Sequence, residues 1–207
     1  MSGRQSAEER KTQIVAEVLR LADKIGPDRL STTDVARAVG LSQPAIFRHF
    51  PTKSALWLAV AEDIANRLQG SWNKAEAGAA GPQVRLRALI GAQLSAISDT
   101  PALPSILFSR ELQVDNHALR DVFRGLLAVF QGRLVAAIRD SQATGDLRRD
   151  VSPEDVAILL TSLVQGVAIR WTLGARGFAL VPEGLRLFDV QMVLLRVKEG
   201  ACDEKTR

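Results

Sequence analysis

Residues 32–57 read TTDVARAVGLSQPAIFRHFPTKSALW, and this stretch decides the fold. Val35 and Val39 lie one helical turn apart, and Ser31 with Asp34 three residues on has the pattern of a capped helix start. Gly40 supplies a left-handed stop after Val39. Ser42 is placed to cap a second short helix that carries Ile46, Phe47 and Phe50, with Pro44 in its first turn, where a missing N–H costs little. Pro51-Thr52 ends that helix and caps the next, whose buried stripe is Leu56, Trp57, Val60, Ile64 and Leu68. The spacing is that of two short helices closed on a glycine turn: Ala36 permits close approach, and Leu41 and Ile46 close a small core. An ordinary αα-corner of a helical protein has this spacing. So does a helix-turn-helix, whose second helix lies in the major groove of DNA.

Outward from this stretch, apolar residues recur at helical spacing and alternating runs are nearly absent, which predicts an all-α chain. Upstream, Ile14, Val18, Leu21, Ala22 and Ile25 form one face of a helix that Gly26-Pro27 stops. Downstream, KAEAGAAGP over residues 74–82 reads as a loop, and helices follow near 83–98, 103–112, 116–143, 153–173 and 183–198. An N-terminal three-helix unit over residues 1–55 and a larger helical domain over 56–207 are expected, with no internal repeat or low-complexity tract.

Composition narrows the class. With 46% hydrophobic and 24% charged residues, the 207-residue chain has a globular balance. A single cysteine, Cys202, makes neither an intramolecular disulfide nor a zinc cluster, so a disulfide-stapled secreted fold is excluded. No apolar run is expected to approach the ~18 residues of a membrane span. The leader MSGRQSAEERK lacks the apolar stretch of a signal peptide, so the expected location is the cytoplasm, with no membrane partner. The net charge is only +4, but residues 1–55 hold nine Lys/Arg against six Asp/Glu, so most of the surplus sits in the first quarter of the chain.

The segment Thr12–Leu58 resembles the DNA-binding domain of the tetracycline-repressor (TetR) family of bacterial transcriptional regulators. The resemblance is carried by the length of the first helix, TTDVARAVGLS, the ending Phe47-Arg48-His49-Phe50 and Lys53 at the start of the next helix. Downstream it is one of helix number and length. It implies a homodimer that binds operator DNA, mostly as a repressor, and leaves it when a small molecule occupies the regulatory domain. The operator would be a palindrome, with recognition helices about 34–36 Å apart.

Within that reading, Gln43, Pro44, Ala45, Phe47 and Arg48 fall on the face that meets base edges. Gln pairs with adenine and Arg with guanine, and Pro44 and Phe47 offer apolar contact to a thymine methyl. Thr32 and Thr33 suit phosphate oxygens at the start of the supporting helix. Lys53 opposes the dipole at a helix N-terminus, which makes sense where a phosphate binds. Arg4 is a candidate for the minor groove. His49 is a further DNA-binding candidate, although in the family it packs at the helix end, and that structural role is the alternative. The chain has no tyrosine; family members often carry Tyr at one or both of the positions of Phe47 and Arg48. Phe47 therefore offers no hydroxyl, and Arg48 is placed to make a charged contact instead. A solvated helix face is the plain alternative for these residues.

In the larger domain, Leu119, Phe123, Leu126, Leu127, Phe130, Leu134 and Ile138 make one core stripe. The helix over 153–173 starts Ser152-Pro153-Glu154-Asp155 and is apolar nearly all round, as is the last helix, so both need cover on two sides. By resemblance they pair with their mates in a dimer through Leu160, Val164, Val167, Leu187, Gln191, Leu194 and Leu195; burial within a monomer is the alternative. Phe108, Phe123, Phe130 and Trp171, with the polar Gln93 and Gln165, are candidates to line a pocket for a small, largely apolar effector, or else simply fill the core. No cofactor or metal is expected. His49 and His117 are the only histidines, and no nucleophile–base pair, metal set or phosphate loop is evident, so the chain is not expected to be an enzyme. Rival readings are an activator on the same fold and a helical interaction module that no longer binds DNA.

Overall fold

A computed structural model of the chain describes residues 6–197; Arg4 and Cys202 lie outside the described residues. The described elements are helices: α1 (Ala7–Ile25), α2 (Thr32–Ala38), α3 (Gln43–His49), α4 (Lys53–Ala77), α5 (Pro82–Asp99), α6 (Leu103–Phe108), α7 (Arg110–Asp115), α8 (His117–Ala143), α9 (Pro153–Leu173) and α10 (Leu180–Leu195). Among the described residues there is no strand, only an isolated bridge between Leu147 and Arg196. The fold is all-α, with an N-terminal helix-turn-helix and a larger helical remainder. Two compact units divide it: Met1–Gly70 with Ala96–Leu127, and Ser71–Ser95 with Ala128–Arg207. The packing units therefore cut α4, α5 and α8, and the first takes in a later segment that the expected division at residue 55 does not contain.

In the first unit, α1 begins with a reciprocal capping box between Ser6 and Glu9. It buries Ile14, Val18, Leu21 and Ala22, and packs on α2 and α6. The single helix expected over 103–112 is two helices, broken at Ser109. The Ser109 hydroxyl oxygen accepts the Leu112 N–H at 3.1 Å, capping α7, and its O–H donates to the Asp28 carboxylate in the turn between α1 and α2. A side chain that bonds the backbone in this way competes with a continuous helix. The capping-box arrangement recurs at α2, where the Asp34 N–H donates to the Ser31 hydroxyl oxygen at 3.2 Å and the Ser31 N–H donates back to the Asp34 carboxylate at 3.2 Å.

The Ser31 hydroxyl, and then the Ser31 N–H, hold the Asp34 carboxyl below its ordinary value of 3.8. A carboxyl lowered by folding contributes stability above its unfolded pKa, and that contribution is lost as pH falls through the folded value. Asp34→Ala is therefore expected to melt below wild type at pH 7, with the deficit shrinking by pH 3. Equal deficits at the two pH values would rule out a role for the ionised cap.

In the second unit, α4 runs to Ala77, so residues 74–77 are helix rather than the expected loop, and only the segment from Gly78 to Gly81 connects to α5. Lys74, Ala75, Glu76 and Ala77 are good helix formers. Arg133 of α8 also holds this turn, by a 2.7 Å hydrogen bond to Asn73 and an ion pair to Glu76. Trp72 is buried beside them. Its ring stacks on Phe130 at 5.0 Å, its indole N–H donates to Gln93 at 3.0 Å, and the Arg133 guanidinium lies 5.6 Å from its centre. The last helix starts at Leu180, three residues before the expected start, with Pro182 inside its first turn, where proline is tolerated. Gly184 lets α10 approach α5: a Cβ there would sit 2.5 Å from a methyl of Leu94.

Contrary to the expectation that no apolar run approaches a span, α9 is long and apolar enough to cross a membrane by length and composition. Its inner side is buried, with Leu160, Val164, Val167 and Trp171 covered, and it packs along α10.

Candidate nucleic-acid interface

The interface is built on the turn between α2 and α3. Gly40 adopts φ +67°, the left-handed conformation that glycine takes without a Cβ penalty. The Leu41 N–H then reaches back to the Ala36 carbonyl at 2.8 Å and the Gly40 N–H to that of Arg37 at 3.3 Å, which satisfies the end of α2 and reverses the chain. Val35, Ala36, Ala45, Ile46 and Phe50 are buried behind the turn. Ser42 stands at the start of α3 as expected but makes no side-chain cap bond. Thr52 caps α4 through the Ala55 N–H at 3.0 Å.

This core fixes what α3 presents. Gln43, Pro44 and Arg48 are exposed, and Phe47 is 38% exposed, a large apolar ring left in water on the same short helix. Arg48 and Lys53 are exposed and make no hydrogen bond or ion pair with the described residues, so their charges are available to a partner. Thr33 is exposed at the start of α2 and His49 is half-buried at the end of α3. Ala45 differs from expectation. It is only 5% exposed, because the close packing behind the turn takes its methyl into the core, and it has no surface to offer a base. Thr32, at 9% exposure, is also buried, and its hydroxyl oxygen accepts a hydrogen bond from the Gln43 amide at 2.9 Å. That link between two candidate residues eleven positions apart has no local signal in the sequence.

The six expected effector residues fall in both packing units. Phe108 and Phe123 belong to the first, Phe108 exposed and Phe123 buried. Gln93, Phe130, Gln165 and Trp171 belong to the second. There Gln93 and Phe130 are both engaged by Trp72, the Trp171 indole donates to the Phe178 carbonyl at 3.0 Å, and Gln165 is half-buried. An open cleft of about 230 Å³ in this unit lies between Glu76, Pro82, Arg85, Asp140 and Thr144, and none of the six residues lines it.

The expected dimer residues separate by face. Leu160, Val164, Val167 and Leu195 are buried within the chain itself, Leu187 and Gln191 are half-buried, and Leu194 is exposed. Four of the seven are thus buried in the core of the chain itself. The apolar surface left open is instead Ile158, Leu159, Ile169 and Leu173 on α9, with Val190, Val193, Leu194 and Val197 on and just after α10. Val190, Val193 and Leu194 recur at helical spacing and form one stripe on α10.

Two family profiles match this chain. That described as "Bacterial regulatory proteins, tetR family" covers residues 14–60, and that described as "BetI-type transcriptional repressor, C-terminal" covers residues 82–183. The chain belongs to the TetR family. The nucleoid occlusion factor SlmA of Vibrio vulnificus is 25% identical over 166 residues, spanning 80% of this chain and 85% of that protein. Among solved structures, a transcriptional regulator of Saccharomonospora viridis in complex with choline superposes with a TM-score of 0.81 at 21% identity, covering 92% of this chain and 99% of that one. A TetR transcription regulator of Haloarcula marismortui gives 0.79 at 20% identity, over 92% and 100%. These likenesses carry the TetR fold over nearly the whole chain, with the DNA-reading profile on α1 to α4.

Proposed function

We propose that the protein is a cytoplasmic, homodimeric repressor that binds a palindromic operator and leaves it when a small, largely apolar molecule binds the larger domain. The observation that carries this reading is the outer face of α3, where Gln43, Pro44, Phe47 and Arg48 stand exposed beside the unpaired Lys53. Gln43 and Arg48 supply base-edge contacts, and Lys53 and Thr33 supply phosphate contacts. The open apolar stripes of α9 and α10 support a second copy of the chain as their cover, since monomers rarely expose contiguous apolar patches of more than a few hundred Å². The choline held by the Saccharomonospora regulator supports small-molecule control in general.

Footprinting of genomic DNA by the purified protein tests this reading. Protection of a few short palindromes near promoters, weakening steeply with salt, is the expected result. No protected palindrome at low salt would overturn it. The name of the Vibrio relative favours one other reading, a DNA-binding factor in nucleoid occlusion, for which protected sites would be dispersed rather than gathered at promoters.

Two variants separate base from phosphate contacts. Lys53→Ala is expected to weaken binding to all sequences alike and to lower the log–log salt slope by about one. Gln43→Glu is expected to change which base is preferred at one position of each half-site. Identical behaviour of the two in binding titrations would contradict the assignment.

A further inference from the structure

We infer that Thr32 is a specificity-determining residue that acts through Gln43, by holding its amide in the orientation that selects adenine. The inference rests on the DNA-binding reading above and assigns Thr32 a role beyond a phosphate contact. The Gln43 amide N–H donates to the Thr32 hydroxyl oxygen at 2.9 Å. Thr32 is fixed: it is buried, β-branched and stands in the first turn of α2 behind the Ser31–Asp34 capping box. Gln43, by contrast, is exposed, and a free glutamine side chain samples many rotamers that binding must freeze out. A tether to a buried hydroxyl removes much of that freedom before DNA arrives.

The tether also decides what the amide shows. A glutamine amide has two N–H donors and a carbonyl oxygen. With one N–H committed to Thr32, one N–H and the carbonyl are left, and they make no bond with the described residues. One donor beside one acceptor matches the N7 acceptor and N6 amino donor of adenine. An amide turned the other way, accepting from the hydroxyl, would show two donors and match guanine, whose N7 and O6 both accept.

The test uses the full chain on a footprinted site and on the complete set of its single base-pair variants, comparing wild type with Thr32→Val, Thr32→Ser, Thr32→Ala and Gln43→Ala. Wild type is expected to favour adenine at one position of each half-site, and Gln43→Ala to lose that preference. Thr32→Val keeps the branched shape without the hydroxyl and is expected to cut the preference by about tenfold, leaving other positions unchanged, while Thr32→Ser retains it. Thr32→Ala gives the same reading should the valine variant fail to fold. A uniform loss of affinity with the adenine preference intact would make Thr32 a phosphate contact only and overturn the inference, as would a preference for guanine at that position. Absence of any bound site for wild type would overturn the DNA-binding reading itself, a distinct outcome.

Discussion

On the proposed dimer, a Val193→Asp, Leu194→Asp double variant is expected to sediment as a monomer where the wild-type chain is expected to sediment as a dimer, and to bind the operator at least about a hundredfold more weakly. Both side chains are 65% exposed on the outer stripe of α10, so aspartate there strains nothing within the protomer. In a dimer buried on this stripe the carboxylates would be desolvated without partners, at a cost of several kcal/mol. Operator affinity would fall as the proposed dimer is lost, because each reading helix would bind one half-site and the second contact would gain from being tethered to the first. Sedimentation and operator titration read the two effects separately. A double variant that remains dimeric would place the subunit contact elsewhere; the stability of the single chain is expected to change little.

Trp72→Ala is expected to be the most destabilising single truncation, by about 3–5 kcal/mol, lowering the melting temperature by roughly 6–20 °C for a chain of this size. Trp72 is 1% exposed and holds neighbours from two other helices. Phe130 loses its stacked partner, the Gln93 carbonyl loses its donor among the described residues, and the Arg133 guanidinium loses the ring beneath it. Trp72→Phe keeps much of the apolar volume but still strands the Gln93 carbonyl, so an intermediate loss is expected. Urea denaturation of the three proteins gives the order. A loss below about 1 kcal/mol for the alanine variant would mean that the site collapses around the gap.

Features that depend on a window of a few residues are legible in the sequence. The Ser31–Asp34 box, the Gly40 stop and the Thr52 cap each follow from local backbone chemistry, and they place the reading helix correctly. Ala45 shows where this ends, because a small residue on a seven-residue helix carries no sign of which side it turns to the core. Trp72 and Gln93, or Arg133 and Asn73, meet across helices and have no local signature. On α9 the difficulty has another cause. A helix apolar nearly all round states that it is covered but not by what, so Leu160, Val164 and Val167 could not be told from Ile158 and Leu159 until the chain's own packing was seen.

The bond from Ser109 to Asp28, and the packing of α6 on α1, bear on how this protein can be taken apart. A fragment ending at residue 55 would lack Leu56, Trp57 and Val60, each 0–1% exposed, as well as the later helix that covers α1. It would put apolar surface into water that the whole chain hides. A graft of the DNA-reading head onto another regulator therefore has to carry residues 96–127 along with residues 1–70, although the two stretches are far apart in the gene.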